Sequence, residues 1–103
     1  MLNLLKNIFK SSPAVDYSEL IKKGAIVLDV RTKGEYSREH LKGSLNIPVD
    51  RLECDLNKFK EKEKPIITCC ATGGRSSAAK SILKRAGYTN VHNAGVWRNL
   101  KKK

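Results

Sequence analysis

Two adjacent cysteines, Cys69 and Cys70, stand where a short apolar run, Pro65-Ile66-Ile67-Thr68, meets four small residues, Ala71-Thr72-Gly73-Gly74. Arg75 and Ser76 follow and open a periodic segment whose apolar positions are Ala78, Ala79, Ile82, Leu83 and Ala86. That spacing predicts a helix with one buried stripe, and Gly87 is placed to stop it. The stretch reads as strand, tight loop, helix, with a cysteine at the turn. Successive backbone N–H groups in such a loop form an anion-binding concavity, which the helix N-terminus reinforces. A thiol in that field is expected to ionise below its ordinary range, because the field favours the thiolate. The alternative is a buried structural cysteine ahead of an ordinary strand-to-helix turn.

The elements that must hold this turn follow from the rest of the chain. Leu2, Leu5 and Phe9, with Leu4 and Ile8, make a helical stripe that Ser11-Ser12-Pro13 breaks. Such a short helix buries its stripe on its own domain, on a second copy or on a membrane surface. Asp16 with Glu19, Thr32 with Glu35, and Asp50 with Glu53 have the three-residue spacing of helix N-terminal caps. They predict helices from Asp16 to Gly24, from Thr32 to about His40, and from Asp50 through Leu52, Leu56 and Phe59. Ala25-Ile26-Val27-Leu28 is a continuous apolar run ending in Asp29-Val30-Arg31, the pattern of a strand buried on both faces. Ser44 to Ile47, closed by Pro48, and Asn90-Val91-His92 read as further short strands. Lys58 to Lys64 is a solvated helix end and loop, and Gly95-Val96-Trp97 begins a terminal helix or turn. Strands alternating with helices imply an α/β fold with a parallel sheet covered on both faces. In such sheets ligands bind beyond the carboxyl ends of the strands, where the Cys70 loop lies.

A chain of 103 residues supports one small domain with one core. The net charge is +11, of which Lys101-Lys102-Lys103 contribute three, so the body still carries +8. This excess favours anionic partners and small anionic substrates. Nucleic acid is not expected, because the six aromatics form no stacking series and no helix-turn-helix or zinc-finger spacing is present. Three cysteines, Cys54, Cys69 and Cys70, make no even disulfide framework and no zinc spacing, which points to a reducing compartment, the cytoplasm. Met1 to Lys10 has no long apolar centre and no small-residue cleavage site, so it is a poor signal peptide. No segment approaches the ~20 apolar residues of a membrane span.

Taken together, Leu28-Asp29-Val30-Arg31, Glu35-Tyr36, His40, Gly43 and Asn46-Ile47-Pro48 resemble the first half of a rhodanese domain. Pro65-Ile66-Ile67, Cys70-Ala71-Thr72-Gly73-Gly74-Arg75-Ser76, Ala86-Gly87-Tyr88 and Asn93-Ala94-Gly95-Val96-Trp97 resemble the second half. The resemblance runs from about Val15 to Leu100. It implies a small rhodanese-like α/β domain over residues 14–100, with a sheet of about five strands, between a short amphipathic segment, 1–13, and a basic tail, 101–103. It further implies a single-domain sulfurtransferase that uses no metal and no organic cofactor. A small anionic sulfur donor such as thiosulfate would load a persulfide on Cys70, and a thiol or protein acceptor, or cyanide, would remove it. The N–H groups of Ala71, Thr72, Gly73, Gly74, Arg75 and Ser76 would cradle the charge. Arg75 would add positive potential or pair with an acid such as Asp29. Ala71 and Thr72 stand where many relatives carry a cationic or larger residue, so the loop's own charge rests on Arg75.

Counted from Cys69 the same string is Cys-x5-Arg, the longer loop of rhodanese-fold phosphatases and arsenate reductases. Thr68 stands where the phosphatase signature has His, a strand from Ile66 to Cys69 leaves Cys70 as the first loop residue, and neighbouring strand residues point to opposite faces, so one pocket takes only one of the two thiols. Cys70 is therefore the expected nucleophile and Cys69 a buried strand-end residue, with a resolving or redox role as its alternative; a carrier that holds sulfur on Cys70 without turnover is a third reading. Asp29 and Arg31 lie near the site by topology and are expected as a structural ion pair. His40 is expected to pack or cap, His92 to be structural, and Trp97 to close the core. Membrane contact is not expected, and the chain is read as a monomer or weak dimer.

Overall fold

The apolar runs form the strands that their composition predicts. The computed structural model describes residues 15–101. The central strands are β1, Ile26–Asp29, and β3, Ile66–Cys70, the latter buried at every position. They pair in parallel, Ile26 opposite Ile66 and Asp29 opposite Cys69. Strand β2, Leu45–Asn46, adds to the outer edge of β1, and β4, Val91–Val96, to the outer edge of β3, giving the order β2-β1-β3-β4. The sheet is parallel as expected and, among the described residues, has four strands rather than about five. The chain between β2 and β3 runs as helix and turn.

The period of two along each strand divides the core. Leu28, Val30, Ile66 and Cys70 point to one side, where they meet Ile47, Leu52, Phe59, Ala79, Leu83 and Tyr88. Val27, Ile67 and Cys69 point to the other, against Ala94, Trp97 and Leu100, with Tyr17, Leu20 and Ile21 packed alongside. Helix α1, Tyr17–Lys22, therefore covers one face, and α4, Gly74–Arg85, covers the other through Ala79 and Leu83.

Two of the expected caps form. The Asp16 carboxylate accepts from the Glu19 N–H at 3.1 Å and starts α1. Thr32 and Glu35 make a reciprocal capping box on α2, Lys33–Arg38. The third does not. Helix α3, Val49–Leu52, begins directly after Pro48 and passes into a 3₁₀ turn over Glu53–Lys58. The reason lies in the sheet: Val49 still donates to the Val30 carbonyl at 3.1 Å, so the chain leaves β1 and turns helical at once, with Asp50 inside the first turn.

Strand β4 also runs further than its sequence suggests. Asn93-Ala94-Gly95 looks like a turn, yet it stays on β3 through a register shift, Thr68 opposite Asn93 and Cys69 opposite Gly95. The Asn93 side chain accepts from the Gly95 N–H at 2.9 Å and holds that bulge. A 3₁₀ turn over Trp97–Leu100 closes the domain. The amphipathic pattern over Met1–Phe9 and the end of the basic tail fall outside the described residues. No helix among the described residues is long and apolar enough to cross a membrane.

Candidate active site

The carboxyl end of β3 delivers Cys70 to the base of the loop, as the last strand residue rather than the first loop residue. Its Sγ is the acceptor of converging donors, the Gly73 N–H at 2.9 Å and the Ser76 N–H at 3.3 Å. The Ser76 hydroxyl lies 3.4 Å from the same sulfur and is itself fixed, 3.0 Å from the Gly73 carbonyl. Thr68 anchors the first turn of α4 from below by donating its hydroxyl to the Ser76 carbonyl at 3.0 Å. Gly73 makes the loop possible. It sits at the N-cap of α4 with φ +102, a conformation that costs a side-chain-bearing residue about 1–2 kcal/mol.

These contacts decide which cysteine ionises. Burial pushes the Cys70 thiol up, but the Ser76 hydroxyl and the N–H groups of Ser76, Gly73 and Thr72 outweigh it and bring it below its ordinary value. Cys69 has no such donors. It lies on the opposite face among Val27, Ile67 and Trp97, and burial, with the Asp29 charge added, pushes it up to about 12 against the opposing pull of Arg31. The strand-period argument thus separates the two sulfurs as expected.

Arg75 does not pair with Asp29. Its guanidinium reaches across to α2 and grips Glu35 with two prongs, Nη1 to Oε1 at 2.7 Å and Nη2 to Oε2 at 3.0 Å. The Arg75 contact, followed by the Thr32 N–H, holds the Glu35 carboxyl down to about 2. The loop's cation is therefore largely neutralised, and the first turn of α4 is tied to the first turn of α2. Glu35 was legible only as a cap; its second partner lies 40 residues on, and nothing local signals it.

Asp29 and Arg31 do form the expected ion pair, and neither is among the groups that hydrogen-bond the Cys70 sulfur. Arg31 donates from Nε to Asp29 Oδ1 at 2.9 Å and from Nη2 to Oδ2 at 2.8 Å, and both residues are buried. Arg31 also donates to the Glu39 carbonyl and lies 4.8 Å from the centre of the Trp97 ring. Asn46 of β2 donates to the carbonyls of Asp29 and Arg31, both at 2.9 Å. Arg31, held by Asp29, and Trp97 thus form the floor of a cleft of about 280 Å³ that opens beside the loop at Ala71.

The remaining candidates lie apart from the sulfur. His40 stacks on Tyr36 with ring centres 3.8 Å apart and bonds the Tyr36 carbonyl through Nδ1. His92 bonds the Asn90 side chain, and burial, then Lys80, lowers its basicity. Trp97 is buried in the core, and Cys54 is exposed on the 3₁₀ turn.

Comparison with known proteins adds an independent line. A family model described as rhodanese-like domain matches residues 13–95. Thiosulfate sulfurtransferase PspE of Escherichia coli (strain K12) is 38% identical over 74 residues, 71% of this chain and 71% of that protein. The solved structure of a rhodanese with anions from E. coli matches with a TM-score of 0.72 at 31% identity, covering 78% of this chain and 95% of the other. The human single-domain sulfurtransferase TSTD1 matches with a TM-score of 0.72 at 28% identity, over 84% of this chain and 91% of its own.

Proposed function

Because the chain belongs to the rhodanese-like family, we propose that it moves sulfane sulfur from thiosulfate, or another persulfide donor, to a thiophilic acceptor through a persulfide on Cys70. The observation that carries this reading is the Cys70 sulfur held under the N–H groups of Gly73 and Ser76. In the first half-reaction the Cys70 thiolate attacks the outer sulfur of thiosulfate. A Sγ–S bond forms, the bond to the sulfite sulfur breaks, and sulfite leaves with that electron pair. The terminal sulfur keeps a negative charge, and donors already aimed into the loop stabilise it without reorganising. In the second half-reaction an acceptor thiol gives its proton to the terminal sulfur of the persulfide and, as the thiolate, attacks that sulfur. The new S–S bond forms as Sγ–S breaks, Cys70 recovers its electron pair as thiolate, and the proton leaves with the product persulfide.

Arg75 serves this chemistry by position: its pairing with Glu35 fixes the start of α4, from which the Ser76 donors come. The net charge of +11 draws an anionic donor toward the domain.

Intact-protein mass spectrometry after thiosulfate treatment tests the assignment. The expected result is a gain of one sulfur that survives Cys69→Ser and disappears in Cys70→Ser. Loss of the label in Cys69→Ser alone, or aryl phosphate hydrolysis abolished by that substitution, would transfer the chemistry to the longer Cys-x5-Arg loop. Stable loading with no discharge to cyanide or small thiols would instead make the protein a carrier.

A further inference from the structure

The cleft beside the loop has a charge pattern that the persulfide chemistry leaves unused. Its floor is the buried Arg31 and Trp97, Ala71 marks the end next to Cys70, and Arg38 and Arg98 stand at its rim. Five cations gather there and along its edge, Arg31, Arg38, Arg75, Arg98 and Lys101, against three carboxylates, Asp29, Glu35 and Glu39. Two of the cations are spent: Arg31 on Asp29 and Arg75 on Glu35, each through a two-pronged contact. Arg98 and Lys101 share Glu39 alone, at 3.7 Å and 3.4 Å, and both stack on the Trp97 ring. Arg38 has no carboxylate partner among the described residues, although it lines the cleft. The rim therefore carries uncompensated positive charge a short distance from the reacting loop.

Size narrows what this charge can receive. A volume of about 280 Å³ lies at the low end of small-molecule sites, ~300–1,000 Å³, and holds roughly nine waters at ~30 Å³ each. That is more than an inorganic anion needs and suits an organic molecule of several heavy atoms. We infer that the cleft is the acceptor subsite, and that it selects small thiols bearing a carboxylate, with the thiol at the Ala71 end and the carboxylate on Arg38 and Arg98. The inference rests on the Cys70 persulfide reading and adds the class of acceptor and the residues that choose it. Both arginines are exposed, so solvent screens them; each contact supports up to about a fivefold preference and the two together about five- to tenfold.

Single-turnover discharge tests it. The protein is loaded with thiosulfate and freed of excess donor. It is then mixed with 3-mercaptopropionate, neutral 2-mercaptoethanol or cationic cysteamine at equal thiolate concentration. Loss of one sulfur is followed by intact mass, and each rate is divided by that of the same thiol with a free cysteine persulfide. The carboxylate thiol is expected to be about five- to tenfold faster than the neutral one, cysteamine slower, and the ratio to shrink as salt rises. In Arg38→Ala/Arg98→Ala the ratio should fall to near one, and in Arg38→Glu/Arg98→Glu the order should reverse toward cysteamine. A ratio near one in the unaltered protein, or a preference that survives in the double alanine variant, overturns the inference. Failure of Cys70 to load at all overturns the persulfide reading instead, so the two failures are distinguishable.

Discussion

Replacing Ser76 with alanine removes the hydroxyl that does most to favour the Cys70 thiolate while leaving the backbone donors in place. The deletion is structurally mild. Ser76 is fully buried, and its one hydroxyl proton sits on the Gly73 carbonyl while Cys70 is a thiol and turns to the sulfur when Cys70 ionises; that carbonyl keeps the Ser77 N–H at 3.1 Å, so no backbone group is stranded. A hydrogen bond to a charged group contributes about 1.5–3 kcal/mol, and one pKa unit corresponds to about 1.36 kcal/mol. Because the hydroxyl must leave the Gly73 carbonyl to donate to the sulfur, this contact lies at the weak end, about 1.5 kcal/mol, and its loss raises the Cys70 pKa. At pH values below both pKa values the thiolate fraction then falls about tenfold. The more basic thiolate is also the better nucleophile, with a Brønsted slope of about 0.4–0.5, so the observed alkylation rate falls only about three- to fourfold. Thiolate absorbance and iodoacetamide alkylation of Cys70 across a pH series measure the two quantities separately. Ser77→Ala, an exposed neighbour on the same helix, is the control. An unchanged Cys70 pKa in a folded Ser76→Ala protein, or an equal shift in the control, would refute the assignment of the hydroxyl as a thiolate donor.

Other expectations follow from the same geometry. Gly73→Ala forces a side chain into φ +102 and should lower stability by about 1–2 kcal/mol, seen as a fall in the melting midpoint of roughly 4–16 °C. Gly74→Ala meets open space at an ordinary φ and should be tolerated. Glu35→Gln frees the Arg75 guanidinium and removes a carboxylate from the cleft, so KM for thiosulfate should drop about two- to fivefold at low salt and recover as salt is added; an unchanged KM would count against neutralisation of Arg75 by Glu35. The Cys69 thiol, raised from 9.0 to about 12, stays protonated in the fold while the unfolded chain ionises. Its contribution is therefore complete below about pH 9 and is lost as pH climbs toward 12. Denaturant titrations between those limits should show stability falling with pH, and the slope should be shallower in Cys69→Ala.

Much of this site is written locally. The strand, the loop glycines and the apolar stripe of α4 occupy one continuous stretch, and each has a period or a composition that identifies it. The separation of Cys69 from Cys70 needs only the strand period, which the two core faces obey. What escaped depends on contacts distant in sequence. Glu35 and Arg75 meet because α2 and α4 both start at the carboxyl edge of the sheet, a fact of strand order rather than of either segment. The third cap failed because Val49 still bonds to Val30, and a capping pair carries no information about where a strand lets go. Strand β4 was cut short at His92 because its bulge is built from Asn and Gly, the residues that also build turns.

The opposed directions of Cys69 and Cys70 also bear on oxidative damage. A thiolate that oxidises to a sulfenic acid is usually rescued by a neighbouring thiol that closes a disulfide. Bridged cysteines have their β-carbons about 3.5–4.5 Å apart and facing one another. Here the adjacent sulfur lies across the sheet, protonated and packed against Val27 and Trp97, and the third cysteine, Cys54, is exposed on the 3₁₀ turn. The fold therefore provides Cys70 with no resolving partner of its own. Its recovery from peroxide depends on thiols arriving from outside, so the solution thiol pool that would accept its sulfur would also set how long it survives.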